Sequence, residues 1–269
     1  DRMPLVNAAV LLAFMLIALN IYQVYFTTVV KTYALTGLLI VLGFHLLFAE
    51  GDGAGLLTRR FGAGLLLALA TATRSSAFVL IPVVMLLQGA CLLRDSSRRG
   101  PWFFFVLGAA VGGGALFLPF LIGAPEAFLF GLVEYHAARE TGGALALLSY
   151  KAGFLLRLIG FFFIPLALAA ATAVWSLVRI GSSEEEDRPC GNWVRFCGDP
   201  LVILWAGIAA VTLLHLSAPF PYDDYQVIIV PLFAVATAAG LFRIPALGRA
   251  THQRLCAFLA LAMVLSNAH

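Results

Sequence analysis

Long apolar runs, most of them close to twenty residues, alternate along this chain with short polar stretches. Pro4–Asn20 predicts a first membrane crossing, and Ile21–Thr32, less uniformly apolar and carrying Lys31, a first junction. Tyr33–Ala49 predicts a second crossing, followed by the hydrophilic EGDGAGLLTRR. From Phe61 to Leu93 the chain is apolar for about 33 residues except at Thr71-Ala-Thr-Arg-Ser-Ser76. A single helix of that length would measure roughly 50 Å, against a hydrocarbon core of roughly 30 Å. The polar interruption therefore predicts a hairpin of two short helices with Arg74 at its tip. Trp102–Ile122, Phe154–Val178, Leu201–Leu216 and Gln226–Phe242 follow as further crossings, and a last apolar run begins near Leu255. Membrane β-barrels show shorter, alternating segments, so the expected fold class is all-α. The expectation is one polytopic transmembrane helical bundle over residues 1–269, with about nine spans or half-spans.

Composition agrees with that pattern. Hydrophobic residues make up 62% of the chain, charged residues 12%, and mean hydropathy is +0.97, far from soluble domains. A net charge of +3 is too small and too scattered along the chain to suggest a nucleic-acid partner. Cys91 and Cys256 sit in or beside apolar runs, while Cys190 and Cys197 flank GNWVRF. No zinc spacing results, and all four cysteines read as structural or incidental. The sequence reads as an internal piece of a longer protein.

Charge changes the picture more. The loops near 50–60, 94–101, 179–200 and 243–254, with Arg2, carry twelve of the 17 Lys and Arg. By the positive-inside rule they face the cytoplasm. The opposite face then holds the loops near 21–32, 71–76, 123–153 and 217–225. Lys31, Arg74, Arg139, Lys151 and Arg157 remain there against the bias. Two readings stand for these cations: helix anchors that snorkel to the interface, or ligands of a phosphate headgroup. Arg74, at a tip set between helices, is the one for which the ligand reading is preferred. Gly108-x-x-x-Gly112 also carries two readings, close helix approach or the ordinary tolerance of glycine in membrane helices.

The stretch Gly123–Lys151 gathers Glu126, Glu134, His136, Arg139, Glu140 and Lys151 between two crossings. His136 and Glu140, four residues apart, share a helical face. They suit a general base with its orienting acid, a pair of metal ligands, or plain surface ion pairs. Asp223 and Asp224 precede an expected helix; one is explained as its N-cap, and the pair leaves room for a second role. His215, near the end of its span, is either a substrate-facing group or a packing histidine.

Several stretches together resemble the GT-C-type membrane glycosyltransferases, the superfamily of dolichyl-phosphate-mannose-protein mannosyltransferases and aminoarabinose transferases. Lys31-Thr-Tyr33, within YFTTVVKTYALTGLLIVLGFHLLF (25–48), resembles their basic-x-Tyr opening to a span. Gly64-Leu-Leu-Leu-Ala-Leu-Ala-Thr-Ala-Thr-Arg74 resembles the short-helix hairpin G-L-x-x-G-L-A-x-x-T-[RK]. HLSAPFPYDDYQVIIVPLFAVATAAGL (215–241) is similar to a later span with a tyrosine before it, and FLFGLVEYHAAR (128–139) to a Tyr-His-x-x-Arg stretch of some bacterial members.

The resemblance implies an integral, multi-pass enzyme of the bacterial plasma membrane. It implies transfer of a sugar from a polyprenyl-phosphate donor to a lipid, glycan or protein acceptor on the extracytoplasmic face. It places the donor phosphate on Lys31, Tyr33, Arg74 and Arg139. The family's catalytic carboxylate is expected upstream of Asp1, leaving Glu134, His136, Asp223 and Asp224 as weaker catalytic candidates; no metal ligand is assigned, although Mg or Mn is one option. The alternatives are a surface-polysaccharide ligase or polymerase and a polytopic transporter or lipid flippase.

Overall fold

The computed structural model describes residues 3–28, 32–92, 95–134, 143–181, 196–218 and 223–242, all of them helical or in short connections. The elements are α1 (Met3–Ala18), α2 (Ile21–Thr28), α3 (Tyr33–Phe48) and α4 (Gly53–Thr73). A 3-10 turn (Ser75–Val79) leads into α5 (Leu80–Leu92), and a second (Ser96–Arg98) into α6 (Arg99–Gly123). Then come α7 (Pro125–Leu129) with a π turn (Phe130–Glu134), α8 (Ala144–Gly181) and α9 (Pro200–Ser217). A 3-10 segment (Asp223–Ile229) opens α10 (Val230–Phe242).

Among the described residues, four segments are long and apolar enough to cross a membrane: Ser75–Leu92, Ser96–Gly123, Pro200–Ser217 and Tyr225–Phe242. Ala8–Ala18 and Tyr33–Phe48 are apolar but shorter. This is the build of a helical membrane protein, with four such helices established where about nine spans or half-spans were expected. The Tyr225–Phe242 window is 72% buried, against 17% for Ser96–Gly123. The first therefore runs through the middle of the packing and the second along its rim. Leu86, Ile122, Leu145 and Leu156 point outward, as side chains facing hydrocarbon do.

The packing fixes which loops share an end. Thr36 meets Thr73, while Gly43 faces Leu67 and Gly62 faces Leu46, so α3 and α4 are antiparallel. Gly207 faces Leu80 and Gly198 faces Cys91, so α5 and α9 are antiparallel too. Residues near 32, 74 and 217 thus lie at one end of the bundle, and residues near 50, 95 and 198 at the other. The sequence placed these loops on two faces in the same grouping.

Several boundaries differ from the sequence reading. α4 starts at Gly53, so Arg59 and Arg60 belong to a helix rather than to a loop. The hairpin around Arg74 accordingly joins a helix of 21 residues to an 18-residue segment rather than two short helices. α8 starts at Ala144, which puts Lys151 and Arg157 on a 38-residue helix. The 21–32 and 217–225 loops are partly helical, through α2 and the 3-10 segment from Asp223.

α4 and α6 run parallel in backbone contact. A Cβ on Gly108 would sit 2.8 Å from the Phe61 carbonyl carbon, and one on Gly64 2.7 Å from the Ala109 nitrogen. Of the two readings left open for Gly108 and Gly112, close approach is the one seen, with Gly64 as the unrecognised third partner. Gly108→Ala should therefore destabilise the protein by roughly 1–3 kcal/mol, read as a lower unfolding midpoint in detergent. Gly113→Ala, where a Cβ meets nothing within 4 Å, should leave the midpoint unchanged or slightly raised. Equal behaviour of the two would refute the contact.

Candidate functional site

Buried polar side chains are scarce among the described residues and collect at one end. Asn20, Gln23, Thr36, Thr71, His215, Gln226 and Thr237 are buried. All but Thr237 sit on elements that begin or finish at the Arg74 end. Two knots of hydrogen bonds form there.

The first is built where α4 stops. Thr71 and Thr73 return their hydroxyls to the carbonyls of Leu67 and Ala70, at 2.9 and 2.8 Å, a local bonding that weakens a helix end. Arg74 then turns extended, with φ −151° and ψ 111°. Its N–H still donates to the Ala70 carbonyl at 2.9 Å, and its carbonyl accepts from Ala77 N–H at 3.0 Å. The side chain swings across to the start of α3. Its guanidinium carbon lies 3.9 Å from the centre of the Tyr33 ring, and its Nε donates to Thr32 Oγ1 at 3.1 Å. Tyr33 is buried and packs edge-on to Phe26, with centroids 6.3 Å apart. A cation held over an aromatic face gains about 0.5–2 kcal/mol and loses its freedom to rotate. The two terminal amino groups of Arg74 make no hydrogen bond among the described residues. Beneath this, Thr36 and Thr73 share a 2.8 Å bond that ties α3 to α4.

The second knot joins α9 to the segment before α10. Gln226 Nε2 lies 3.1 Å from His215 Nδ1, and Gln226 Oε1 lies 3.3 Å from Thr212 Oγ1. The ring of Tyr225 stands 5.2 Å from that of His215. Thr212 also bonds the Ile208 carbonyl at 2.9 Å, and its hydroxyl has a single proton. Two arrangements satisfy the knot. Either Gln226 donates to His215 Nδ1 and accepts from Thr212, or the amide is turned, His215 Nδ1–H donates, and Thr212 accepts. Gln226 and Thr212 also supply the polar wall of a crevice of about 370 Å³, otherwise lined by apolar side chains such as Leu158, Trp205, Leu213 and Phe233.

Of the donor-phosphate residues expected from the sequence, Tyr33 and Arg74 are brought together. Lys31 and Arg139 lie outside the described residues, as do His136 and Glu140, although Lys31 directly precedes the Thr32 that holds Arg74. Glu134 is exposed on the π turn, with no contact to either knot. Asp223 and Asp224 start the 3-10 segment that carries Gln226. Lys151 and Arg157 stand in the first half of α8. Cys190 and Cys256 also lie outside the described residues. Among the described residues no three His, Cys, Asp or Glu side chains gather as ligands for Mg or Mn. Sequence reasoning missed Thr32, Thr36, Thr73, Thr212 and Gln226 because it weighed charges. Their signal was the small polar residue at an apolar run's end, with Thr32 and Thr36 one helical turn apart.

Comparison with family models, with curated proteins and with solved structures finds no match.

Thr36→Val keeps shape and removes the α3–α4 bond. The expected loss is about 0.6–1.7 kcal/mol, measured as a shift in unfolding midpoint; no loss would show that the bond contributes nothing beyond packing.

Proposed function

We propose that this chain is the membrane part of a multi-pass glycosyltransferase of the GT-C type. In this reading it takes a sugar from a polyprenyl-phosphate donor on the extracytoplasmic face of a bacterial plasma membrane. One observation carries the reading: Arg74 is held at a helix break by Tyr33 and Thr32, with its two terminal amino groups left to a ligand. A guanidinium fixed in plane is suited to paired hydrogen bonds with phosphate oxygens.

The chemistry fits that arrangement. When the sugar–phosphate bond breaks, negative charge grows on the phosphate, and a positioned cation stabilises it most in the transition state. Arg74 supplies that charge without reorganising, since its plane is already set. Lys31, one residue before Thr32, would add a second positive charge. The acceptor hydroxyl must lose a proton to a carboxylate; Glu134, Asp223 and Asp224 are this chain's candidates. The apolar crevice next to Gln226 and Thr212 supports a substrate carrying a hydrocarbon chain. The acceptor is a lipid, glycan or protein hydroxyl.

The test is transfer from radiolabelled polyprenyl-phosphate sugars by the full-length protein in proteoliposomes. Wild type should transfer, Arg74→Ala should lose roughly 10²–10³-fold in kcat, and Arg74→Lys should recover part of it. A folded wild type that transfers from no donor would sink the proposal and turn attention to polysaccharide ligase and transport assays.

A further inference from the structure

The opposite end of the bundle holds a different set of cations. Arg59 and Arg60 lie in the second turn of α4, and Arg98 and Arg99 stand at the start of α6. These two helix starts are side by side, since a Cβ on Gly100 would lie 3.4 Å from Leu57 Cδ2. The parallel run of α4 and α6 therefore brings two pairs of arginines together.

Arg60 is the unusual member. It is partly buried, and its single hydrogen bond among the described residues goes to the Leu46 carbonyl at 3.1 Å. Burial lowers its pKa, and the like charges of Arg98 and Arg59 lower it further. Among the described residues no carboxylate answers it. Asp95 is engaged by Arg98 at 2.8 Å and by Ser97 N–H at 3.1 Å, and Asp199 accepts from Leu201 N–H at 2.7 Å to start α9. Glu50 and Asp52 are exposed and make no ion pair with Arg60 among the described residues. Arg59 bonds the backbone carbonyl of Glu50 rather than its carboxylate. Snorkelling explains the exposed Arg59 and Arg99. It does not explain a cation drawn in beside two others, which costs free energy unless an anion meets it.

The depth of the site indicates which anion. Trp102, one turn into α6, donates from Nε1 to the Met85 carbonyl at 3.0 Å, and indoles favour the headgroup level. Next to it Phe103 is exposed, and Leu107 follows one turn on. We propose that Arg60 and Arg98 bind the phosphate of an anionic phospholipid headgroup, whose acyl chains lie along the outward face of α6. Arg59 and Arg99 add to the field that draws it in. This site is independent of the Arg74 end and of the glycosyltransferase reading.

The experiment uses the purified, delipidated full chain in detergent, with phosphatidylglycerol, phosphatidylcholine or inorganic phosphate added. Native mass spectrometry and the unfolding midpoint are the readouts. Phosphatidylglycerol should be retained at least about tenfold over phosphatidylcholine and should raise the midpoint. Arg60→Gln and Arg98→Gln should each weaken retention roughly fivefold. Arg98 is half-exposed, with 53% of its side chain accessible, so its variant tests the site even if Arg60→Gln fails to fold. Equal retention of the two lipids, or an Arg98→Gln protein that holds phosphatidylglycerol like wild type, would overturn the proposal. Inorganic phosphate that displaces the lipid and gives the same rise would overturn the lipid as ligand and leave a free-phosphate site.

Discussion

Hydrocarbon offers no hydrogen bonds, so a chain immersed in it must satisfy each backbone N–H and C=O within itself. The described residues follow this pattern: helix follows helix, and the breaks fall at the two ends. What makes those breaks tolerable is local. Thr71 and Thr73 bond carbonyls of their own helix, and Asp95 and Asp199 accept the first N–H groups of the turns they precede. Polar side chains are thus recruited to the ends for backbone reasons first. The chemistry that gathers there inherits positions that the backbone required.

The two ends use arginine differently. Arg74 is fixed by an aromatic face and a hydroxyl, both neutral, so its charge stays unspent while its plane is set. Arg60 spends one donor on a backbone carbonyl and faces further positive charge. The first arrangement suits a group that must meet a changing charge, and the second a group that holds a permanent one. Between them lies the central packing of Tyr33, Ile40, Leu67, Leu80, Phe105, Ile203 and Ile228.

Much of this was legible in the sequence. The length of the 61–93 run against the bilayer thickness places a break at Arg74, and the arginine bias sorts the loops into the two ends the packing shows. Helix boundaries were less legible. Hydrophobicity marks what lies in hydrocarbon but not where a helix begins, as the starts of α4 at Gly53 and α8 at Ala144 show. Tyr33 and Arg74 were read as partners because a resemblance put both on one ligand. Thr32, Thr36 and Gln226 were passed over, because an uncharged side chain in an apolar run shows its role only once its neighbour across the bundle is known.

The contact of α4 with α6 has a historical consequence. Gly64 and Gly108 meet carbonyl and amide atoms rather than side chains, so no compensating change in a neighbour can make room for a larger residue at either place. A packing position filled by leucine drifts through isoleucine, methionine or valine as its surroundings adjust. These two positions offer selection no such path, and along any lineage of this protein they should stand still while Gly113 and Gly131 wander.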